Sequence, residues 1–392
     1  MTKVPRHAET APPRRRAASL AVGLVALVGW AASAGGCQGG GLLRVEGPLR
    51  GTTAPLATDA WLEVARRFAP VVYHAVHPTE GRQDLPTRVD FDGDLRGAGN
   101  WDAMAAFELP PVVYYAALET ETHLFLTYHL FHPRDWSYVR AGFHETHEND
   151  GENLQVVVDK ASGRPVLLTT QAHYFSDVYA ARGAGFRAGC EPVQDVGLLL
   201  HDDEGRVDAA GLHVGVFVQD YGHGIYGALD TGTGLAFDAA GQVTFPDHGL
   251  VLRAARPGEG APEPDLARAA RRPAGTVPYH LASTTAGLWP LLARGDLVGE
   301  GALLDGAVPL DRPGARVLVP RYYEAARFSG PFGPDRGISP FAFDFSFYQG
   351  QIGALFFDPA GRYPEGLDVP RPWSTRYLGD PFAAIRGGAD AR

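Results

Sequence analysis

The chain has 392 residues, 45% of them hydrophobic and 20% charged, and its 35 Lys and Arg against 45 Asp and Glu give a net charge of −10. That acidic balance argues against nucleic acid or anionic lipid as a partner and is compatible with cation binding. With two cysteines, Cys37 and Cys190, a disulfide-stapled scaffold is excluded and the fold must rest on its core.

The first segment reads as an export signal. Lys3, Arg6 and Arg14 to Arg16 precede an apolar run from Ala17 to Ala32, which is short for a membrane span. Ala34-Gly35-Gly36-Cys37 follows and resembles a bacterial lipoprotein cleavage box, with Ala34 where Leu is usual. The expectation is cleavage before Cys37 and lipidation of that residue, with simple cleavage after Ala32 or Ala34 as the alternative. Loss of residues 1–36 removes five basic groups and one acidic group and leaves a net charge of −14. The protein is then expected in the bacterial cell envelope, on the outer membrane or a periplasmic face, held to the membrane by its lipid.

Residues 37–57, rich in Gly, Pro, Thr and Ala, read as a flexible tether. In "DAWLEVARRF" Trp61, Val64, Ala65 and Phe68 share one helical face, so a helix is expected from a cap at Thr58 to Pro70. The pattern then changes to period two: "PVVYYAAL" (111–118), "HLFLTYHLF" (123–131), "NLQVVVD" (153–159), "PVLLTTQAH" (165–173) and "HVGVFVQDY" (213–221), each bounded by Gly, Pro or Asp. The expected fold is mainly β, an antiparallel β-sandwich with long loops and a few short helices, spanning residues 58–392. A Pro/Ala/Arg-rich insertion at 256–275 interrupts it, and a separate second domain over 276–392 is the alternative. Beyond the insertion come a helix near 284–294 and aromatic cover in "PFAFDFSFYQG" (340–350).

Chemistry concentrates in "FHPRDWSYVRAGFHETHENDGENLQVVVD" (131–159), which holds three histidines and six carboxylates. Asp150 and Glu152 are two apart and point the same way from a strand start; His147 sits on the loop feeding that strand. Pro133 is expected to end the preceding strand and leave Asp135 at the sheet's edge. Two strand ends on one rim then gather Asp135, His147, Asp150 and Glu152. Such a carboxylate-rich set suits Ca²⁺ or Mg²⁺, with Mn²⁺ or Zn²⁺ less favoured. A His followed by acids at +3 and +5 arises by chance about 0.2 times in a chain of this composition, so the spacing alone is weak. His223, between two glycines, and His132 are candidates for supporting positions at the same rim; a turn histidine and a polar rim residue are the plain alternatives.

"FHPRD" with "HENDGE" resembles the necrosis- and ethylene-inducing cytolysins. The resemblance implies a single β-sandwich and a divalent cation held by the matching residues Asp135, His147, Asp150 and Glu152. The family's second His, its Trp and its leading Gly are replaced here by Asn149, Gly151 and Thr146. The longer string "ETETHLFLTYHLFHPRDW…HENDGE", with "GHGIYG" at 222–227, is also similar to exported bacterial proteins of that fold, a likeness that brings no activity with it.

Two functional classes follow. One is a lipid-anchored module in which the cation recognises a polar lipid head group or glycan. The other is a metal-dependent hydrolase in which His147 or His223 acts on a metal-bound water. "HETHE" lacks the second His of the zinc protease HExxH, and no GxSxG elbow, phosphate-binding GxxxxGK[ST] or CxxC occurs.

Overall fold

The computed structural model describes residues 47–52, 54–136, 147–173, 175–259, 276–305, 321–322, 337–345, 353–370 and 373–383. Cys37, the leader, much of the tether and residues 260–275 of the insertion lie outside them. Contacts divide the chain into residues 1–39 and residues 40–392, and everything described belongs to the second unit.

The first helix runs over Leu62–Phe68 and buries Ala65 and Phe68. Asp59, not Thr58, supports its start: its Oδ1 accepts the N–H of Trp61 at 2.9 Å. Past Pro70 the chain extends. The strands up to residue 283 are β1 (Val71–Ala75), β2 (Val112–Glu119), β3 (His123–Asp135), β4 (His147–Asp159), β5 (Arg164–Ala172), β6 (Phe175–Ala180), β7 (Arg187–Ala188), β8 (Val193–Gln194), β9 (Leu200–His201), β10 (His213–Val218), β11 (Ile225–Gly227), β12 (Ala236–Phe237), β13 (Val243–Thr244), β14 (Gly249–Ala254) and β15 (Thr276–Ser283).

The expectation of a mainly β chain with few helices holds, but the antiparallel sandwich needs correcting. Twelve strands form one sheet, ordered β11-β10-β1-β14-β15-β2-β3-β4-β5-β6-β8, with β9 on β10. Its pairing is mixed. β1 with β10, β14 with β15, β15 with β2 and β6 with β8 are parallel ladders. The sheet curls until β11, from one end of the order, lies against β5 near the other. Glycine permits that approach: a Cβ on Gly224 would stand 3.1 Å from that of Ala172, and one on Gly227 would be 2.9 Å from the Tyr179 ring.

The concave face holds the core, including Val72, Leu126, Tyr128, Leu130, Leu154, Val156 and Val216. Each such side chain contributes about 1.5–3 kcal/mol by leaving water. The convex face of β3 to β5 is covered as well. Gln155 Nε2 donates to the Leu355 carbonyl at 2.7 Å, and Thr169 shares a 2.8 Å hydrogen bond with the Tyr363 hydroxyl. Burial on both faces explains why β4 is buried continuously from His147 to Val158. The expected aromatic cover is present, with Phe341, Phe343 and Phe345 buried; residues 346–350 lie outside the described part.

One element of that cover grips the sheet closely. Ile338 N–H donates to the Gly151 carbonyl at 2.8 Å, and a Cβ on Gly337 would lie 2.5 Å from Gly151 N and 2.6 Å from Asp150 Cα. Position 337 is glycine because the two backbones touch there.

Candidate functional site

The β3–β4 ladder does not stop at Pro133. His132 pairs with Asp150, Arg134 with Glu148 and Asp135 with His147, so the ladder steps over the proline, and His147 to Gly151 is strand where a loop was expected. Leu130 pairs with Glu152, two positions from the His132–Asp150 pair. Alternation therefore sets His132, Asp150 and Glu152 on one face. Asn149 interrupts this regularity with φ 61°. Around it both Glu148 and Asn149 reach the 97–101 segment: Glu148 Oε1 accepts from Gly99 N and Trp101 N, and Asn149 Nδ2 donates to the Gly97 carbonyl.

Asp150 meets a partner from the seam. Its Oδ2 lies 2.8 Å from His223 Nδ1, and His223 Nε2 stands 3.7 Å from Asp84 Oδ1. His132 stacks on His223, with ring centres 3.7 Å apart and planes within 6°. His74 closes the group, its Nε2 at 3.1 Å from His132 Nε2 and its Nδ1 at 2.7 Å from the Ala75 carbonyl. Burial alone would push the His223 pKa down, yet the hydrogen bonds and charges of Asp150 and Asp84 outweigh it and raise the value to about 9. His74 is lowered to about 4 by burial and by His223, and burial with His223 and His74 holds His132 well below the ordinary range. The layer is one buried imidazolium between two carboxylates, flanked by neutral imidazoles.

Asp84 is held firmly. Trp136 Nε1 and Tyr221 N donate to its Oδ1 at 2.6 and 2.9 Å, and His77 N donates to its Oδ2 at 2.7 Å. The rings of His77, Trp136 and Tyr221 close over it, their centres 4.7–5.5 Å apart. At this rim Asp220 has its pKa raised to about 6 by burial and by Asp84.

Backbone strain gathers at the same place. Among the described residues four non-glycines have positive φ: Asn149, His173, Tyr221 and His223. Tyr221 and His223 belong to the turn after β10. His173 Cε1 would lie 2.7 Å from a Cβ on Gly222, and its N–H donates to Glu152 Oε1 at 2.9 Å. Left-handed backbone costs about 1–2 kcal/mol per non-glycine residue, so this concentration is a cost the fold tolerates at one site.

The residues singled out from sequence are therefore arranged around residues 220–224. Asp135 and His147 form a pair, Oδ2 to Nε2 3.6 Å, and Asp135 Oδ2 would be 3.4 Å from a Cβ on Gly222. Asp150 is on His223 and Glu152 on His173. Among the described residues, the group of three whose ligand atoms lie within 4.8 Å of one another is His132, Asp150 and His223. Sequence reasoning missed Asp84 and His74. Asp84 follows "GRQ" with no acidic or histidine neighbour, and its donors come from residues 77, 136 and 221; the signal available for His74 was a polar residue inside the apolar run "VVYHA".

His132, Asp150 and His223 could hold a metal ion. His132 Nδ1, His147 Nδ1 and His223 Nε2 are buried without a hydrogen-bond partner, and buried nitrogens in that state call for an ion or a water.

No family model and no curated protein matches the chain. Solved structures do. A structure described as "Toxin fold for microbial attack and plant defense" is 18% identical, over 47% of this chain and 74% of that one, at a TM-score of 0.29. A complex of NLPPya with glucosamine is 17% identical over 47% and 74%, at 0.28. Necrosis and Ethylene inducing Protein 2, from the causal agent of cocoa's witches' broom disease, is 14% identical over 59% and 77%, at 0.25. The comparison returns the family that residues 131–159 resemble. With such low TM-scores it transfers no residue roles.

Proposed function

We propose that this chain is an exported, envelope-tethered β protein that binds a divalent cation in the polar layer at the seam and uses it to recognise a polar head group or glycan. The leader is residues 1–36, the lipid anchor Cys37, the tether 37–57 and the working domain 58–392 with its insertion at 256–275. Ligands come from Asp135, His147, Asp150 and Glu152, with His223 and His132 beside them. A set led by carboxylates takes Ca²⁺ or Mg²⁺, and one led by imidazoles takes a first-row transition metal. The observation that carries the reading is the convergence of buried ligand atoms from His132, Asp150 and His223, with His132 Nδ1 and His223 Nε2 left unpartnered. Structures of NLPPya exist in complex with mannosamine and with glucosamine; a sugar ligand for this chain rests on the chemistry of the bound cation, which polarises hydroxyl oxygens.

The test is elemental analysis of the purified full chain, followed by chelation and thermal melting. One equivalent of metal, a lower Tm after chelation and recovery on adding the cation support the reading. Metal-free protein whose Tm ignores every divalent cation overturns it. Glycan or vesicle binding that vanishes with chelation supports the ligand half.

A further inference from the structure

The reading above leaves the class of cation open, and which nitrogen of His132 carries the proton decides whether that imidazole can join the ligands. His74 Nδ1 lies 2.7 Å from the Ala75 carbonyl oxygen, which only accepts, so that nitrogen is the donor and His74 Nε2 is bare. The 3.1 Å contact between His74 Nε2 and His132 Nε2 then needs its hydrogen on His132. His132 Nδ1 is left as a bare lone pair, fully buried and without a partner. Within 4.8 Å of the ligand atom His132 offers stand those of Asp150 and His223.

From this geometry we propose that His132, His223 and Asp150 form an N,N,O site for a first-row transition metal of the Zn²⁺ or Co²⁺ type, not a Ca²⁺ or Mg²⁺ site. This rests on the cation-binding reading and departs from the carboxylate-led ligand set. Imidazole nitrogen suits these ions, whereas Ca²⁺ and Mg²⁺ take oxygen. The three ligand atoms lie within 4.8 Å of one another, and two nitrogens at tetrahedral bonds of about 2.0–2.1 Å stand about 3.3 Å apart, so the side chains must close up on the ion. Asp150 Oδ2 is already 2.8 Å from His223 Nδ1. Because the rings are parallel, each must turn about its Cβ–Cγ bond to aim a lone pair at a shared point; His223, whose Nδ1 stays on Asp150, must give up its Nε2 proton as the metal binds, and the stack is exchanged for two metal bonds. His74, anchored on Ala75, orients His132 from behind, the role usual for the hydrogen-bond partner of a ligating histidine. Three protein ligands leave a fourth position for water or a ligand oxygen.

The experiment uses chelator-stripped full chain titrated with Co²⁺, Zn²⁺, Ca²⁺ or Mg²⁺ alone. Expected are a visible Co²⁺ ligand-field spectrum, its displacement by Zn²⁺, and no displacement by a hundredfold excess of Ca²⁺ or Mg²⁺. His132→Asn should weaken Zn²⁺ binding about 100-fold. Displacement of Co²⁺ by Ca²⁺ or Mg²⁺, or Zn²⁺ binding that is unchanged in His132→Asn, overturns the proposal and leaves the cation reading intact. Binding of none of the four ions overturns the cation reading itself. Should His132→Asn fail to fold, the spectrum and competition in the unaltered chain decide alone.

Discussion

Replacing Asp84 by Asn perturbs the layer at the carboxylate that the sequence did not reveal. The carboxylate accepts from Trp136 Nε1, Tyr221 N and His77 N, and faces the His223 ring at 3.7 Å. The amide keeps the shape but turns one acceptor into a donor and removes the charge opposite a buried imidazolium. Breaking a buried ion pair on one side costs about 3–5 kcal/mol, and that is the loss expected near pH 7. The pH dependence is a second readout. His223 has a folded pKa of about 9 against 6.5, which corresponds to about 3 kcal/mol at 1.36 kcal/mol per unit. A raised pKa stabilises where the group is protonated in both states. The contribution is therefore complete below about pH 6.5 and disappears as pH rises through about 9. In Asp84→Asn roughly half of it should remain, because Asp150 still faces the ring. Urea unfolding with chelator present, at several values from pH 6 to 10, measures both. A variant within about 1 kcal/mol of the parent, or parent and variant curves that run parallel from pH 6.5 to 9.5, would refute the buried imidazolium.

Other expectations follow from the same geometry. His74 and His129 are each lowered to about 4 by burial, so the stability they confer is present above about pH 6.5 and lost as pH falls towards 4; His129→Asn should flatten the acid limb of the unfolding profile. Gly337→Ala places a methyl 2.5 Å from Gly151 N and should cost about 1–3 kcal/mol, with faster amide exchange at Ile338; unchanged stability would show that the contact is loose. His173→Gly relieves a φ of 55° and should stabilise by up to about 1 kcal/mol, and a loss larger than that would mean the His173 side chain matters more than its strain.

The strands that alternate openly in sequence, β2, β3 and β5, the second half of β4, and β10, each have at least one antiparallel neighbour. β1 and β15 join the sheet through parallel neighbours more than a hundred residues away, as when Val71 pairs with Gly215 and His280 with Val112. No local pattern encodes such pairing. The site was legible where chemistry clusters along the chain, from Asp135 to Glu152, and illegible where one residue arrives alone. His132 reads as a rim residue because Phe131 beside it is apolar, yet it is fully buried against His223 because the curl brings the turn after β10 over that face. Pro133 reads as a terminator, but losing one donor does not end a ladder whose neighbouring residues still pair.

The closure of β11 onto β5 is made of contacts and not of ladder hydrogen bonds, since the two strands are not neighbours in the sheet order. What joins them is glycine against Ala172 and Tyr179, with Tyr179 Oη donating to Asp230 at 3.0 Å. Parting these strands therefore leaves every rung of the sheet intact. An ion, or a sugar oxygen, bound for a layer sealed from solvent needs such a door, one whose swing breaks a few side-chain contacts, the His223–Asp150 and Tyr179–Asp230 hydrogen bonds among them, while the hinges, the paired backbones on either side, stay fastened.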